Sequence, residues 1–126
     1  MPYSVKYDAE ARVIGLEIQG ELTMSVARAA ATEVVRIAKE QNCNLILGDY
    51  REASLRLSTM EIYKLPDMIS EIAAAAGLDA NRFKRAAIIA NDFSDFSFFE
   101  TVTVNALQKV KLFRAVDEAR EWLSRK

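Results

Sequence analysis

Leu45-Ile46-Leu47-Gly48-Asp49-Tyr50-Arg51 is the stretch on which the fold turns. A short apolar run is followed at once by polar and amphipathic residues. An unbroken apolar run of this length between helical segments is the pattern of a strand covered on both faces. Upstream, Val26, Ala30, Val34, Ile37 and Ala38 recur at helical spacing, with Arg28, Glu33, Arg36, Lys39 and Glu40 mostly opposite. This predicts an amphipathic helix running from a Thr23 N-cap to about Gln41. Downstream, Ser58-Thr59-Met60-Glu61 is a capping box that opens a second helix carrying Ile62, Leu65, Ile69, Ile72 and Ala76. Pro66 is expected to kink that helix, and Gly77 to stop it.

The pattern extends in both directions. Residues 3–8 alternate weakly up to a turn at Asp8-Ala9-Glu10. In residues 12–19, Ile14, Leu16 and Ile18 oppose Val13, Gly15, Glu17 and Gln19, so the two segments read as a hairpin. Lys84 to Ala90 contains a second buried-type strand, Arg85-Ala86-Ala87-Ile88-Ile89-Ala90. Asp92 to Leu107 is ambiguous, since Phe98, Glu100, Val102 and Val104 also fit a strand. A helix is preferred: Ser94 or Asp95 can cap it, Phe96, Phe99, Thr103 and Ala106 form a stripe, and it keeps the alternation. Val110 to Phe113 is a last strand, and a terminal helix follows with Asp117 and Glu118 in its first turn. The order β-β-α-β-α-β-α-β-α predicts an α/β fold with a mixed, mainly parallel five-stranded sheet and helices packed on it. The 126 residues fit one domain, 1–126, of the common size of about 100–150 residues.

The composition excludes much chemistry. With no histidine there is no imidazole general base, no Ser-His or Cys-His pair and no imidazole metal ligand. Cys43 is the sole cysteine, so no intrachain disulfide or four-cysteine zinc site can form, and a small buried thiol is expected. Gly15, Gly20, Gly48 and Gly77 are too far apart for a dinucleotide fingerprint or a phosphate loop. The net charge is -1. From residue 82 onward nine bases face six acids, too slight an excess for nucleic acid. The opening residues Met1 to Asp8 lack a signal-peptide pattern, and no apolar run reaches the roughly 20 residues of a membrane span. The expected compartment is the cytoplasm. No cofactor or metal is expected.

The element order resembles the SpoIIAA-like proteins, relatives of the STAS domains of anti-sigma-factor antagonists and anion transporters. Besides the order, the resemblance rests on Leu45 to Arg51, Lys84 to Ala90, Val110-Lys111-Leu112-Phe113, Asp117-Glu118-Ala119 and Trp122-Leu123, covering nearly the whole chain. It implies a small α/β sandwich built as a β-α superhelix, no catalysis, and a protein-interaction module switched by serine phosphorylation. The wider group is similar to CRAL-TRIO lipid-binding domains, which implies lipid or peripheral membrane contact. Phospho-switch relatives carry an Asp-Ser-Ser/Thr-Gly-like motif after the third strand, with its serine at a helix N-terminus. Here the matching stretch is Asp49-Tyr50-Arg51-Glu52-Ala53-Ser54-Leu55-Arg56-Leu57-Ser58, with no Ser-Gly pair and a longer loop. Ser54 and Ser58 are the candidate phosphoacceptors. Ser58 is also explained as a plain N-cap.

Two groups remain as a candidate binding site. Asp49, Tyr50 and Arg51 are expected at the carboxyl end of a central strand, the edge ligands favour in parallel sheets. An Asp49–Arg51 pair buried in the exit loop is the structural alternative. Phe93, Phe96, Phe98 and Phe99 hold four of the six phenylalanines. On a helix Phe96 and Phe99 share a face, so the surplus rings suit a pocket, a contact between copies or a membrane-touching surface. The flexible Met60 and Met68 and the small residues Ala73 to Ala76 of the preceding helix would let a cleft open there. The expected function is a non-catalytic regulatory or binding module, homo-oligomeric, that contacts a protein partner or a small apolar ligand. The alternative is a lipid-binding or peripheral membrane protein that uses Phe93 to Phe99.

Overall fold

The computed structural model describes residues 2–90, 93–106 and 108–125, apart from the side chains of Phe93 and Asp95. The elements are β1 (Tyr3–Asp8), β2 (Val13–Leu22), α1 (Met24–Gln41), β3 (Leu45–Leu55), α2 (Thr59–Ala75), a 3-10 turn at Ala80–Arg82, β4 (Lys84–Ile88), α3 (Phe93–Asn105), β5 (Lys109–Phe113) and α4 (Val116–Ser124). The five strands form one sheet in the order β1-β2-β3-β4-β5, with β1 antiparallel to β2 and the remaining pairs parallel. Each parallel crossover steps one strand further the same way, so crossovers of one hand lay their helices on one face. Accordingly the larger core joins α1, α2 and α3 to Ile14, Leu16, Ile18 and Ile46 of the sheet. The smaller core packs Ala119 and Leu123 of α4 on Leu47, Ala86 and Ile88 of the other face.

The helix ends follow the sequence signals. Thr23 Oγ1 accepts from the Val26 amide at 3.3 Å. The capping box is complete: the Glu61 amide donates to Ser58 Oγ at 3.1 Å, and the Ser58 amide to Glu61 Oε1 at 2.9 Å. At the other end of α2, the Leu78 amide donates to Ala73 O at 2.8 Å and the Gly77 amide to Ala74 O at 2.9 Å. That is a Schellman closure, and it needs the positive φ of 79° that glycine adopts without strain. α2 runs through Pro66 as one continuous element.

β3 departs from expectation. The reading of a strand ending near Gly48, followed by a long loop, is wrong, because β3 continues to Leu55. The pairing of β2 with β3 passes from Glu17↔Asp49 to Gln19↔Glu52, which inserts one extra residue on β3. A one-residue insertion exchanges the two faces of a strand. Ile46, Gly48 and Tyr50 face the helices before the bulge; Ala53 and Leu55 enter the same core after it. α3 also starts earlier than expected, at Phe93, so Ser94 and Asp95 lie inside its first turn and not at its cap.

Candidate functional site

Tyr50 is the hinge of the site. It is the last core-facing residue of β3 before the bulge, and its ring folds back across Gly48. A Cβ built on Gly48 would lie 2.7 Å from Tyr50 Cε2 and 3.1 Å from both Cζ and the hydroxyl. Glycine is therefore what lets the ring lie there. The ring meets Phe96 of α3 at 5.5 Å between centroids, tilted by 47°. Burial raises the Tyr50 pKa above the ordinary tyrosine value, and the nearby Arg85 charge partly opposes the rise.

Beneath α1, α2 and α3 lies a cavity of about 110 Å³ against the sheet, with walls that include Ile18, Val34, Tyr50, Phe96 and Phe99. It is of the same order as the roughly 150 Å³ cavity that stays dry and takes up benzene in another protein. Among the described residues its one charged wall is Arg85, the second residue of β4. β4 pairs Arg85 with Ile46 on one side and Val110 on the other, so the side chain rises between two apolar neighbours on the helix face. Arg85 Nη2 donates to Gln108 Oε1 at 2.9 Å. Gln108 is 3% exposed, and its Nε2 donates to Pro66 O at 2.8 Å and to Ser70 Oγ at 3.0 Å. This one amide thus ties β4 to α2. Arg85 Nε is sealed from solvent and has no hydrogen-bond partner among the described residues. Among the described residues no carboxylate forms an ion pair with Arg85. Desolvation lowers its pKa, and Tyr50 weakly counters the effect.

The structure divides the residues singled out from the sequence. Tyr50, Phe96 and Phe99 meet at the cavity. Asp49 and Arg51 lie on the opposite side of β3, well inside the strand and not at a loop exit. They form a surface pair, with Arg51 Nη2 donating to Asp49 Oδ2 at 2.8 Å and Nε to Oδ1 at 3.0 Å. Those bonds hold the Asp49 carboxyl below its usual pKa range against an opposing effect of burial. The expected buried loop pair is therefore a pair along one strand, exposed at Arg51 and half-buried at Asp49, beside Glu52 and Glu17. The Phe93 side chain lies outside the described residues. Phe98 packs edge-on to Tyr63 at 5.4 Å on the outer surface, where Met60 is 65% and Tyr63 56% exposed. Ser54 is half-buried within β3 opposite Glu21, and Ser58 is exposed with its hydroxyl occupied by the capping box. Cys43 is half-buried, with its thiol 3.2 Å from Arg12 O.

Arg85 and Gln108 were missed from the sequence. The available signal was a charge on the helix-facing phase of a strand that is apolar and buried from Ala86 onward. Among the described residues no cluster of three or more potential ligands could hold a metal. None of their helices is long and apolar enough to cross a membrane.

No protein-family model and no curated protein sequence matches the chain. Solved structures do match. An uncharacterized DUF3478-family protein from Shewanella loihica, described as having a SpoIIAA-like fold, superposes with TM-score 0.60 at 16% identity, over 96% of this chain and 91% of that one. The anti-sigma factor antagonist SpoIIAA in its unphosphorylated form gives TM-score 0.54 at 10% identity, over 92% and 91%. The chain has the SpoIIAA-like fold. Phosphorylated SpoIIAA of Bacillus gives TM-score 0.50 at 12% identity, over 96% and 98%. At these identities the likeness concerns the SpoIIAA-like fold, and the site rests on this chain's own residues.

Proposed function

We propose that residues 1–126 act as one non-catalytic binding module of the SpoIIAA-like type, and that the module takes up a small, mainly apolar ligand between the sheet and α1, α2 and α3. One observation carries this reading: the cavity of about 110 Å³, walled by aliphatic side chains and by Tyr50, Phe96 and Phe99. Small-molecule sites are concave and mostly apolar with a few polar groups, which describes this cavity. The protein's phosphorylated and unphosphorylated structural neighbours suit a regulatory role, in which occupancy of the cavity would alter the α2–α3 surface that a partner reads. Phosphorylation is the weaker route here, because the Ser58 hydroxyl is engaged by Glu61 and Ser54 is inside a strand.

Native mass spectrometry of gently purified protein tests the reading. A released apolar compound supports it. Uniformly ligand-free protein that also takes up no added small aromatic counts against it.

A second reading has its own observation. Met60 and Tyr63 are exposed beside Phe98, an apolar patch on the outer face of α2 and α3. Such a patch suits contact with a protein partner, a second copy or a lipid surface. Light scattering and liposome flotation of Met60→Gln/Tyr63→Ser separate these. Loss of self-association or of flotation supports the reading, and behaviour identical to wild type overturns it.

A further inference from the structure

Among the described residues, the one charged side chain of the cavity, Arg85, meets no opposite charge. Arg85 is half-buried with its Nε sealed from solvent, and a guanidinium held in apolar surroundings is unfavourable unless a carboxylate or a full set of acceptors faces it. Arg85 has neither. Its bond to Gln108 uses a neutral acceptor, and its Nε has no partner among the described residues. Arginine offers five donors in a planar fork that matches a carboxylate, and one bond to Gln108 leaves that capacity largely open. The rest of the cavity wall is apolar, with Tyr50 supplying a hydroxyl close enough to Arg85 for their charges to interact.

We infer that the cavity takes a small monoanion with an apolar body, an aromatic or short aliphatic carboxylate, whose carboxylate pairs with Arg85 while its body lies against Phe96, Phe99, Ile18 and Val34. This rests on the binding reading above and adds the ligand's charge and orientation. Two features select the class. One positive charge with no carboxylate partner among the described residues suits a monoanion better than a phosphate dianion. A cavity of about 110 Å³ suits a ring or a few carbons better than a long chain. Gln108 plays a positioning part: it holds Nη2 from the side of α2 and so fixes the plane of the guanidinium.

Isothermal titration calorimetry of the full chain with benzoate, benzyl alcohol and benzylamine tests the inference. The three probes share a ring and differ in charge. Benzoate should bind about ten- to a hundredfold more tightly than benzyl alcohol, the range expected for a charge-assisted contact, and benzylamine should not bind. Arg85→Met should abolish the preference for benzoate over the alcohol. Equal or tighter binding of the alcohol by wild type overturns the inference and leaves the apolar-cavity reading intact. Undiminished benzoate affinity in Arg85→Met also overturns it. Failure of all three probes to bind removes the cavity reading itself, and the inference with it. The wild-type comparison stands alone if Arg85→Met does not fold.

Discussion

Replacing Gln108 by leucine should cost more than its single position suggests. The amide makes three bonds across two elements: one from Arg85 Nη2 at 2.9 Å, and two donated to Pro66 O at 2.8 Å and Ser70 Oγ at 3.0 Å. The bond to a charged donor is worth about 1.5–3 kcal/mol and each neutral one about 0.5–1.5 kcal/mol. Against that total, a leucine at a nearly closed site gains roughly 1–2 kcal/mol from apolar burial. The net loss is therefore about 2–3 kcal/mol, or roughly 10 °C in Tm for a chain of this size. Urea unfolding followed by circular dichroism reads it as a fall of about 1 M or more in the midpoint at unchanged slope. Gln108→Glu isolates the Arg85 bond: it keeps that acceptor and adds a charge, but it gives up both donated bonds and sets a carboxylate oxygen against Pro66 O, so it should still lose about 1–3 kcal/mol. A loss below about 0.5 kcal/mol for leucine, within the scatter of ordinary surface substitutions, would refute the reasoning.

Three further outcomes are expected. Gly48→Ala puts a methyl 2.7 Å from Tyr50 Cε2 and forces the ring off Phe96; overpacking of this kind costs about 1–3 kcal/mol and should appear as an altered near-ultraviolet spectrum with weaker ligand uptake. Lys84→Met removes bonds from Nζ to Trp122 O at 2.5 Å and Arg125 O at 2.8 Å and a cation–π contact at 4.6 Å; it should cost about 1–2 kcal/mol, with amide hydrogen exchange rising in α4. Tyr50 has its pKa raised above 10.0, so the folded state favours the neutral phenol: its contribution is intact below pH 10 and is lost as pH rises past that value. Ultraviolet difference titration against Tyr50→Phe should place the missing phenolate above pH 10, and a phenolate appearing below it contradicts the assignment.

Much of the architecture was legible because local signals agreed. The alternation over Val13 to Gln19, the helical spacing after Thr23, the Ser58 capping box and Gly77 each carry a direct physical meaning, and each appears where it was read. The extension of β3 was not legible. A bulge changes which face each residue takes, so Asp49 to Leu55 keeps no single period and looks like a loop. The site was half legible. Tyr50, Phe96 and Phe99 were named for their chemistry and do meet, whereas Asp49 and Arg51 belong to the other face of the same strand. Arg85 and Gln108 escaped because 23 positions separate them, and only the β4–β5 pairing and the approach of α2 bring them together.

Whether an apolar molecule enters the cavity is tested most directly by nuclear magnetic resonance. Protein labelled at its methyl groups is titrated with toluene, and intermolecular Overhauser effects are collected. The expected result is a set of contacts to Ile18 and Val34, with shifts at Tyr50 and Phe96 that saturate together. Contacts confined to Met60 and its surroundings, with Ile18 and Val34 silent at saturating toluene, would contradict the account.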